Sequence, residues 1–387
     1  MVDRRRIALL CGSHIANDIY GNALVSLLPF LIPAWGLSLP MAGLLTATYQ
    51  VTSSVVQPVL GHLADRFGTR FFSFAGTAAV AVGAGSLGIA PGFMALLPVV
   101  AVAGLGTASF HPQSAAMVNS LSGGRRGTVM SAYITAGNAG FALGPMIVVG
   151  VVTSLGLQAT PLLAIPGLLS AILLALYAPR NWLRRPENGR PPLWQVISRK
   201  RPELSRLLGV ASFRSLTMFC WMTFLPLLFQ SRGYPSSVWA GLLTFFLLSG
   251  TAGGLFGGYL SDLVGRRLVI VWTLVIAVPL LLLMLHVDGA SLWIVTGLAG
   301  AAMLASFSTL TIKAQEMMPE NIGMASGLIL GFGIGVGGLG TWPAGFLAER
   351  LGIFETLNML AFLPLLAALV AWTLPKDVRG RTERAKA

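Results

Sequence analysis

A chain of 387 residues that is 55% hydrophobic and only 10% charged, at a mean hydropathy of +0.77, is too apolar for a water-soluble fold. Each bilayer crossing takes ~20 mostly apolar residues, so the length accommodates about a dozen helices with short connections and leaves no room for a large soluble domain. A net charge of +13 would point to nucleic acid in a soluble protein, but its placement along this chain gives it another meaning.

The first apolar run, 7–32, is too long for the core of a secretory leader, lacks a small-residue cleavage site and carries Asp18 and Asn22, so it reads as span 1. Runs at 40–61, 71–91, 93–118, 127–153 and 159–178 give spans 2 to 6. Runs at 206–229, 237–260, 268–286, 291–315, 323–347 and 354–374 give spans 7 to 12. The stretch between the two sets is polar and rich in Pro and Arg. The expected organisation is an N-terminal six-helix bundle (1–178), a cytoplasmic linker (179–205), a C-terminal six-helix bundle (206–375) and a basic cytoplasmic tail (376–387). Cys11 and Cys220 both fall inside predicted spans, which suggests neither a disulfide framework nor a metal cluster.

With the N-terminus in the cytoplasm, 22 of the 26 Lys and Arg residues fall on one side: Arg4 to Arg6, Arg66, Arg70, Arg125, Arg126, Arg206, Arg266, Arg267 and those of the linker and tail. Only Arg232 and Arg350 lie in loops on the other side. That asymmetry follows the positive-inside rule. It predicts a multi-pass protein of a bacterial inner (plasma) membrane with both termini cytoplasmic, and it makes a nucleic-acid partner unnecessary.

The two sets of spans repeat. GHLADRFGTR at 61–70 returns as GYLSDLVGRR at 258–267, and Ser109-Phe110 returns as Ser306-Phe307. Gly127, Gly137 and Gly144 return as Gly323, Gly333 and Gly340. Several motifs in the same order predict two parallel repeats that rock about a site between them.

Within the first repeated loop, Gly61 predicts close helix approach, and Asp65 beside Arg66 and Arg70 predicts a conformational latch. Asp262, Arg266 and Arg267 are its counterpart. This loop resembles the signature loop of the major facilitator superfamily. In span 5, Gly137, Gly140, Gly144 and Pro145 make a small-residue face. Its Gly-x-x-x-Gly-Pro pattern resembles that superfamily's antiporter motif, with Val148-Val149-Gly150 replacing the Gly-Gly expected after the proline. The glycine run of span 11, Gly331 to Gly340, reads as packing and flexibility.

Ionisable groups at membrane depth cost at least ~2.5–3.5 kcal/mol each near a helix centre, so the few present mark candidate sites. His14, Asp18 and Asn22 recur every four residues on one face of span 1, with Asn17 beside them. Span 4 holds His111, followed by Pro112 and Gln113. Span 5 holds Asn138, span 7 Arg214 and span 10 Lys313. Arg214 occupies the repeat position of Asn17. His111-Pro112 predicts a break in span 4 that turns an imidazole and free carbonyls into the cavity. Lys313 admits a pairing with Glu316 three residues on as well as a cavity role.

With His14 and Asn17-Asp18, Phe110-His111-Pro112-Gln113-Ser114, Ser122-Gly123-Gly124-Arg125, Ala314-Gln315-Glu316 and Gly337-Gly338-Leu339-Gly340 in view, nearly the whole chain resembles the fosmidomycin resistance protein family of the major facilitator superfamily. The resemblance implies that spans 1, 4, 7 and 10, which carry the ionisable groups, line the cavity. It also implies a drug/proton antiporter that exports small anionic compounds such as phosphonates. No Lys or Arg lies between Arg70 and Arg125, so coupling cannot rest on the span-4 arginine that some superfamily antiporters carry.

Together these readings predict an all-α protein of twelve transmembrane helices in the major facilitator fold, a proton-coupled efflux antiporter rather than an enzyme, without cofactor or metal, acting as a monomer. Asp18, His111 and His14 are the proton-binding candidates. The substrate candidates are His14, Asn17, Asp18, Asn22, His111, Gln113, Asn138, Arg214 and Lys313. A proton-coupled symporter or uniporter importing an organic anion or a nutrient shares the fold and is separated by the direction of flux. A membrane metalloenzyme using His14, Asp18 and His111 is separated by metal analysis.

Overall fold

The structure is a computed structural model that describes residues 2–67, 69–179, 200–318, 325 and 327–375. Among them it is helical almost throughout, with no strand. The helices group into the twelve predicted spans. Span 1 comprises Arg4–Ile19 and Ala23–Trp35, joined by a 3₁₀ turn at Tyr20–Asn22. Span 2 is Leu39–Ser54 with Gln57–Phe67, and span 3 is Thr69–Ser86. Span 4 is Phe93–Leu121, span 5 Arg126–Leu155, and span 6 a 3₁₀ segment Leu157–Leu163 running into Ala164–Tyr177. Spans 7 to 10 are Arg201–Ser231, Ser236–Val264, Arg266–Met284 and Gly289–Met317. Span 11 includes a π-helical turn Leu328–Gly333 followed by Ile334–Leu339 and Thr341–Leu351, and span 12 is Ile353–Leu360 with Leu363–Trp372. Nine helical segments among the described residues are long and apolar enough to cross a bilayer.

Local chemistry sets the breaks. Gly36 ends the first span in a left-handed conformation, φ 61°, and the Ser38 hydroxyl caps the next helix by accepting from the Met41 N–H at 3.3 Å. The sequence predicts a break in span 4 at His111-Pro112, but the helix runs through it without interruption. Phe110 and Ser114 on either side are fully buried, and the Ser114 hydroxyl donates to the Phe110 carbonyl at 2.9 Å and the His111 carbonyl at 3.2 Å. Packing and local hydroxyls hold a proline in a membrane helix that it would disrupt in water.

In lipid there is little hydrophobic drive between helices, so backbones must approach closely to gain dispersion contact. A Cβ at Gly253 would meet the Ala301 backbone, and one at Gly257 the Ala305 side chain and backbone, which binds span 8 to span 10. One at Gly76 would meet the Gly106 carbonyl oxygen at 2.7 Å, which binds span 3 to span 4. Gly61 and Gly258 behave differently: a Cβ there meets nothing within 4 Å. The close approach expected at Gly61 is therefore absent, because span 2 stands clear of its neighbours there.

The two halves meet along a seam near the charge-poor end of the bundle. The Leu39 N–H donates to Glu349 Oε2 at 2.9 Å, Thr341 Oγ1 to the Gly43 carbonyl at 2.9 Å and Gln230 Nε2 to the Pro29 carbonyl at 3.0 Å. Thr223 Oγ1 donates to Thr46 Oγ1 at 3.4 Å, and Phe30 packs on Trp239. The span-11 glycines supply the contact surface: Gly335 and Gly338 press on Val55 and Gln50 of span 2, and Gly333, Gly337 and Gly340 press on Ala211, Ser215 and Leu216 of span 7. Toward the Arg-rich end the seam opens. On one stripe of span 5, Thr128, Ser131, Thr135 and Asn138 are exposed, while Ala142, Pro145 and Val149 farther along the same stripe are buried. Exposure of this polar stripe only in its Arg-rich half is consistent with a cleft between the halves that opens there.

Candidate functional site

Three predicted residues converge at mid-bundle. His14 Nε2 lies 3.2 Å from Asp18 Oδ2, one helical turn along span 1, and His111 Nε2 of span 4 lies 3.4 Å from Asp18 Oδ1. Asn17 Nδ2 also donates to Asp18 Oδ1 at 3.1 Å. The His14 and His111 rings meet edge to face at 5.3 Å. The side chain of His111 is 29% exposed against 9% for His14 and 14% for Asp18, so His111 is the trio's access from the cleft.

The second nitrogen of His14 also faces an acceptor. Nδ1 lies 2.9 Å from the Tyr133 carbonyl oxygen, which only accepts, so Nδ1 carries a hydrogen. Nε2 faces a carboxylate oxygen, also an acceptor when ionised. A neutral imidazole has one N–H, so a further proton between Nε2 and Oδ2, on His14 or on Asp18, completes both contacts.

Span 5 builds the wall behind this pair. Tyr133 stacks on the His14 ring with centroids 4.1 Å apart and hydrogen-bonds Ser114 of span 4. A Cβ at Gly137 would collide with the His14 ring, one at Gly140 with the Ile15 backbone and one at Gly144 with the Ile19 carbonyl. The Gly-x-x-x-Gly face is thus the bed on which the first helix of span 1 lies. Tyr133 is absent from the sequence-derived set. It lies on the same stripe as Gly137, Gly140 and Gly144, so the spacing carried the signal.

The remaining candidates are dispersed. Asn22 is buried, but the 3₁₀ turn rotates it away from Asp18, and it donates to the Phe141 carbonyl at 2.8 Å. Gln113 is buried with its Nε2 unpartnered, and Asn138 is exposed in the cleft stripe. Arg214 is 4% exposed. Its Nε donates to the Met303 carbonyl at 3.0 Å and to Ser306 Oγ at 3.2 Å, and its guanidinium lies 4.6 Å from the Phe307 ring centroid. No carboxylate pairs with it among the described residues. Lys313 donates to the Pro375 carbonyl at 3.1 Å, beside the end of span 12 and away from the trio. Glu316 pairs with Arg266 at 3.0 Å instead of with Lys313.

The span 8–9 loop forms a tie within one half. Arg266 bridges Asp262 at 2.5 Å and Glu316 of span 10, and Arg267 donates to the Leu374 carbonyl at 3.1 Å and stacks on Trp372. In the matching loop, the side chains of Asp65 and Arg66 lie outside the described residues, and Arg70 points into a cavity beside Arg5 and Arg6.

The His14, Asp18 and His111 ligand atoms all lie within 4.8 Å of one another, a spacing that would also admit a metal ion. Two of the three also have a partner outside the trio, His14 in the Tyr133 carbonyl and Asp18 in Asn17.

Comparison with known proteins places this geometry. The chain is 28% identical to the fosmidomycin resistance protein of Escherichia coli (strain K12) over 365 residues, which covers 92% of this chain and 89% of that one. It is 28% identical to the uncharacterized MFS-type transporter YfnC of Bacillus subtilis (strain 168) over 385 residues, covering 95% and 92%. Among solved structures, a mutant of the nucleoside transporter NupG superposes with a TM-score of 0.83 at 13% identity, covering 95% of this chain and 99% of that one. A bacterial homolog of the human lysosomal transporter Spinster, inward-facing and unoccupied, superposes at 0.79 with 16% identity, covering 95% and 96%. The model of the Major Facilitator Superfamily matches residues 10–341. Two pseudo-repeated helical halves around a buried polar centre, matched along most of the chain, make this a multi-pass membrane transporter of small molecules, and the chain belongs to the major facilitator superfamily.

Proposed function

We propose that the protein is a proton-coupled exporter of small anionic compounds, phosphonates among them. It works by alternating access in a bacterial inner membrane, with its Arg-rich end and both termini in the cytoplasm. The observation that carries this reading is the placement of His14, whose two nitrogens both face acceptors, one of them Asp18, an arrangement that a shared proton completes. Such a proton sits where a cleft reaches it through His111, so it can leave toward the cytoplasm in this conformation. Return requires the charge-poor seam to open. Arg214 supplies the other half of the reading: a buried cation without a carboxylate partner among the described residues favours a ligand that brings the missing negative charge.

Exchange is favoured by the similarity to the Escherichia coli fosmidomycin resistance protein and by the glycine face of span 5. Charge favours a second reading, because a proton and an anion attract in one low-dielectric cavity and would travel together, as in symport. Proteoliposomes separate the two. Exchange predicts that a lumen more acidic than the medium drives uptake of external fosmidomycin, and that Asp18→Asn abolishes it. Accumulation only under the opposite gradient establishes symport. If an imposed gradient in either direction moves no fosmidomycin, organic acid or cationic drug beyond the control, or if Asp18→Asn transports like the parent, the coupling proposal fails.

A further inference from the structure

At the Arg-rich end of the N-terminal half lies a second feature that transport leaves unused. A cavity of about 790 Å³ is lined by Arg5, Arg6 and Arg70 together with Asp3, Leu176 and Tyr177. The three guanidiniums come from the starts of spans 1 and 3, and the apolar wall comes from the end of span 6. Three positive charges share one carboxylate: Asp3 pairs with Arg6 at 3.5 Å and accepts the Arg6 backbone N–H at 3.2 Å, capping its own helix. Arg5 and Arg70 have no carboxylate partner among the described residues.

Like charges brought together in this way repel, and an anion bound among them offsets that repulsion. The chain's own polar stretches do not suit the role, since 180–199 and 376–387 are themselves rich in Arg and Lys and would add positive charge. The rim indicates what does. Tyr177 and Leu176 are 60% and 59% exposed, and Phe71, next to Arg70, is 54% exposed. An aromatic and aliphatic edge of this kind suits the level where hydrocarbon meets headgroup. A guanidinium fork matches two phosphate oxygens, so two unpaired arginines suit a phosphodiester whose acyl chains lie along that edge.

We propose that this cavity is a binding site for the phosphodiester headgroup of an anionic phospholipid. Only the assignment to the cytoplasmic leaflet rests on the orientation proposed above. The site adjoins Arg70, at the base of the span 2–3 loop, so its occupancy bears on the loop that connects these two spans.

The test uses the purified full-length protein in neutral detergent, with thermal unfolding and native mass spectrometry as readouts, neither of which depends on transport or its direction. Cardiolipin and phosphatidylglycerol are expected to remain bound and raise the melting temperature, whereas phosphatidylcholine at equal concentration does neither. Each of Arg5→Gln and Arg70→Gln is expected to weaken cardiolipin binding by about five-fold. Arg125→Gln, an exposed arginine outside the cavity, is the control for general loss of charge and leaves binding unchanged. Inorganic phosphate is the remaining arm. If it alone protects as well as cardiolipin does, the ligand is a soluble phosphate and the lipid proposal is overturned. It is also overturned if both cavity variants bind cardiolipin like the parent, or if Arg125→Gln weakens binding as much as they do.

Discussion

Placing a methyl group at Gly137 tests the architecture of the proton site directly. A Cβ there falls under 3 Å from three atoms of the His14 ring, where ordinary contact needs ~3.5–4 Å. The ring must therefore move by about 1 Å, and such overpacking of a well-filled interior costs ~1–3 kcal/mol. The same displacement takes Nδ1 out of reach of the Tyr133 carbonyl, now 2.9 Å away, and forfeits a hydrogen bond worth ~1.5–3 kcal/mol when charge-assisted. Gly137→Ala is thus expected to lose ~2.5–6 kcal/mol relative to Gly150→Ala, a control in the same helix where the added Cβ meets nothing within 4 Å. Both variants gain similar helix propensity, so that contribution cancels in the comparison. The assay is thermal unfolding in detergent with proton-driven flux measured in parallel. If Gly137→Ala matches Gly150→Ala in both stability and flux, the His14 ring is not held against span 5 and the site geometry is wrong.

Three further outcomes follow from named contacts. Arg214→Leu removes a buried cation that lacks a carboxylate partner among the described residues and is expected to raise stability by ~1–4 kcal/mol while abolishing anion transport. A fall in stability together with transport would make Arg214 a structural residue. Glu349→Gln weakens the tie to the Leu39 N–H and should favour the opposite opening of the transporter. In a background without Cys11 and Cys220, a Thr46→Cys probe should then label faster with an impermeant maleimide from the charge-poor side, and unchanged labelling would contradict the seam. Elemental analysis of the purified protein is expected to find no stoichiometric transition metal, and one ion per chain lost in His111→Ala would replace the proton reading with a metal site.

The fold was legible because membrane burial writes itself into composition. Apolar runs of the right length and the distribution of Arg and Lys are one-dimensional properties, and they located the spans to within a few residues at most ends. The trio was legible in part: the spacing of His14 and Asp18 puts them on one face of a helix, while the approach of His111 is a tertiary fact that no spacing within span 1 encodes. Two local rules misled. Proline predicts a break at His111, yet neighbours in a packed bundle hold the helix through it. The four-residue rhythm predicts Asn22 beside Asp18, yet a single 3₁₀ turn, whose pitch is three residues, redirects it to Phe141. Tyr133 escaped because a tyrosine on a glycine-rich stripe reads as packing until the ring opposite it is known.

The central claim is that the proton shared by His14 and Asp18 is the one exchanged for substrate. It is tested most directly by mixing the purified transporter with fosmidomycin in weakly buffered detergent solution and following pH with an indicator dye. The account predicts release of about one proton per molecule bound, given one shared proton in the site, and no release from Asp18→Asn. Proton uptake, an unchanged pH, or the same release from Asp18→Asn would contradict it.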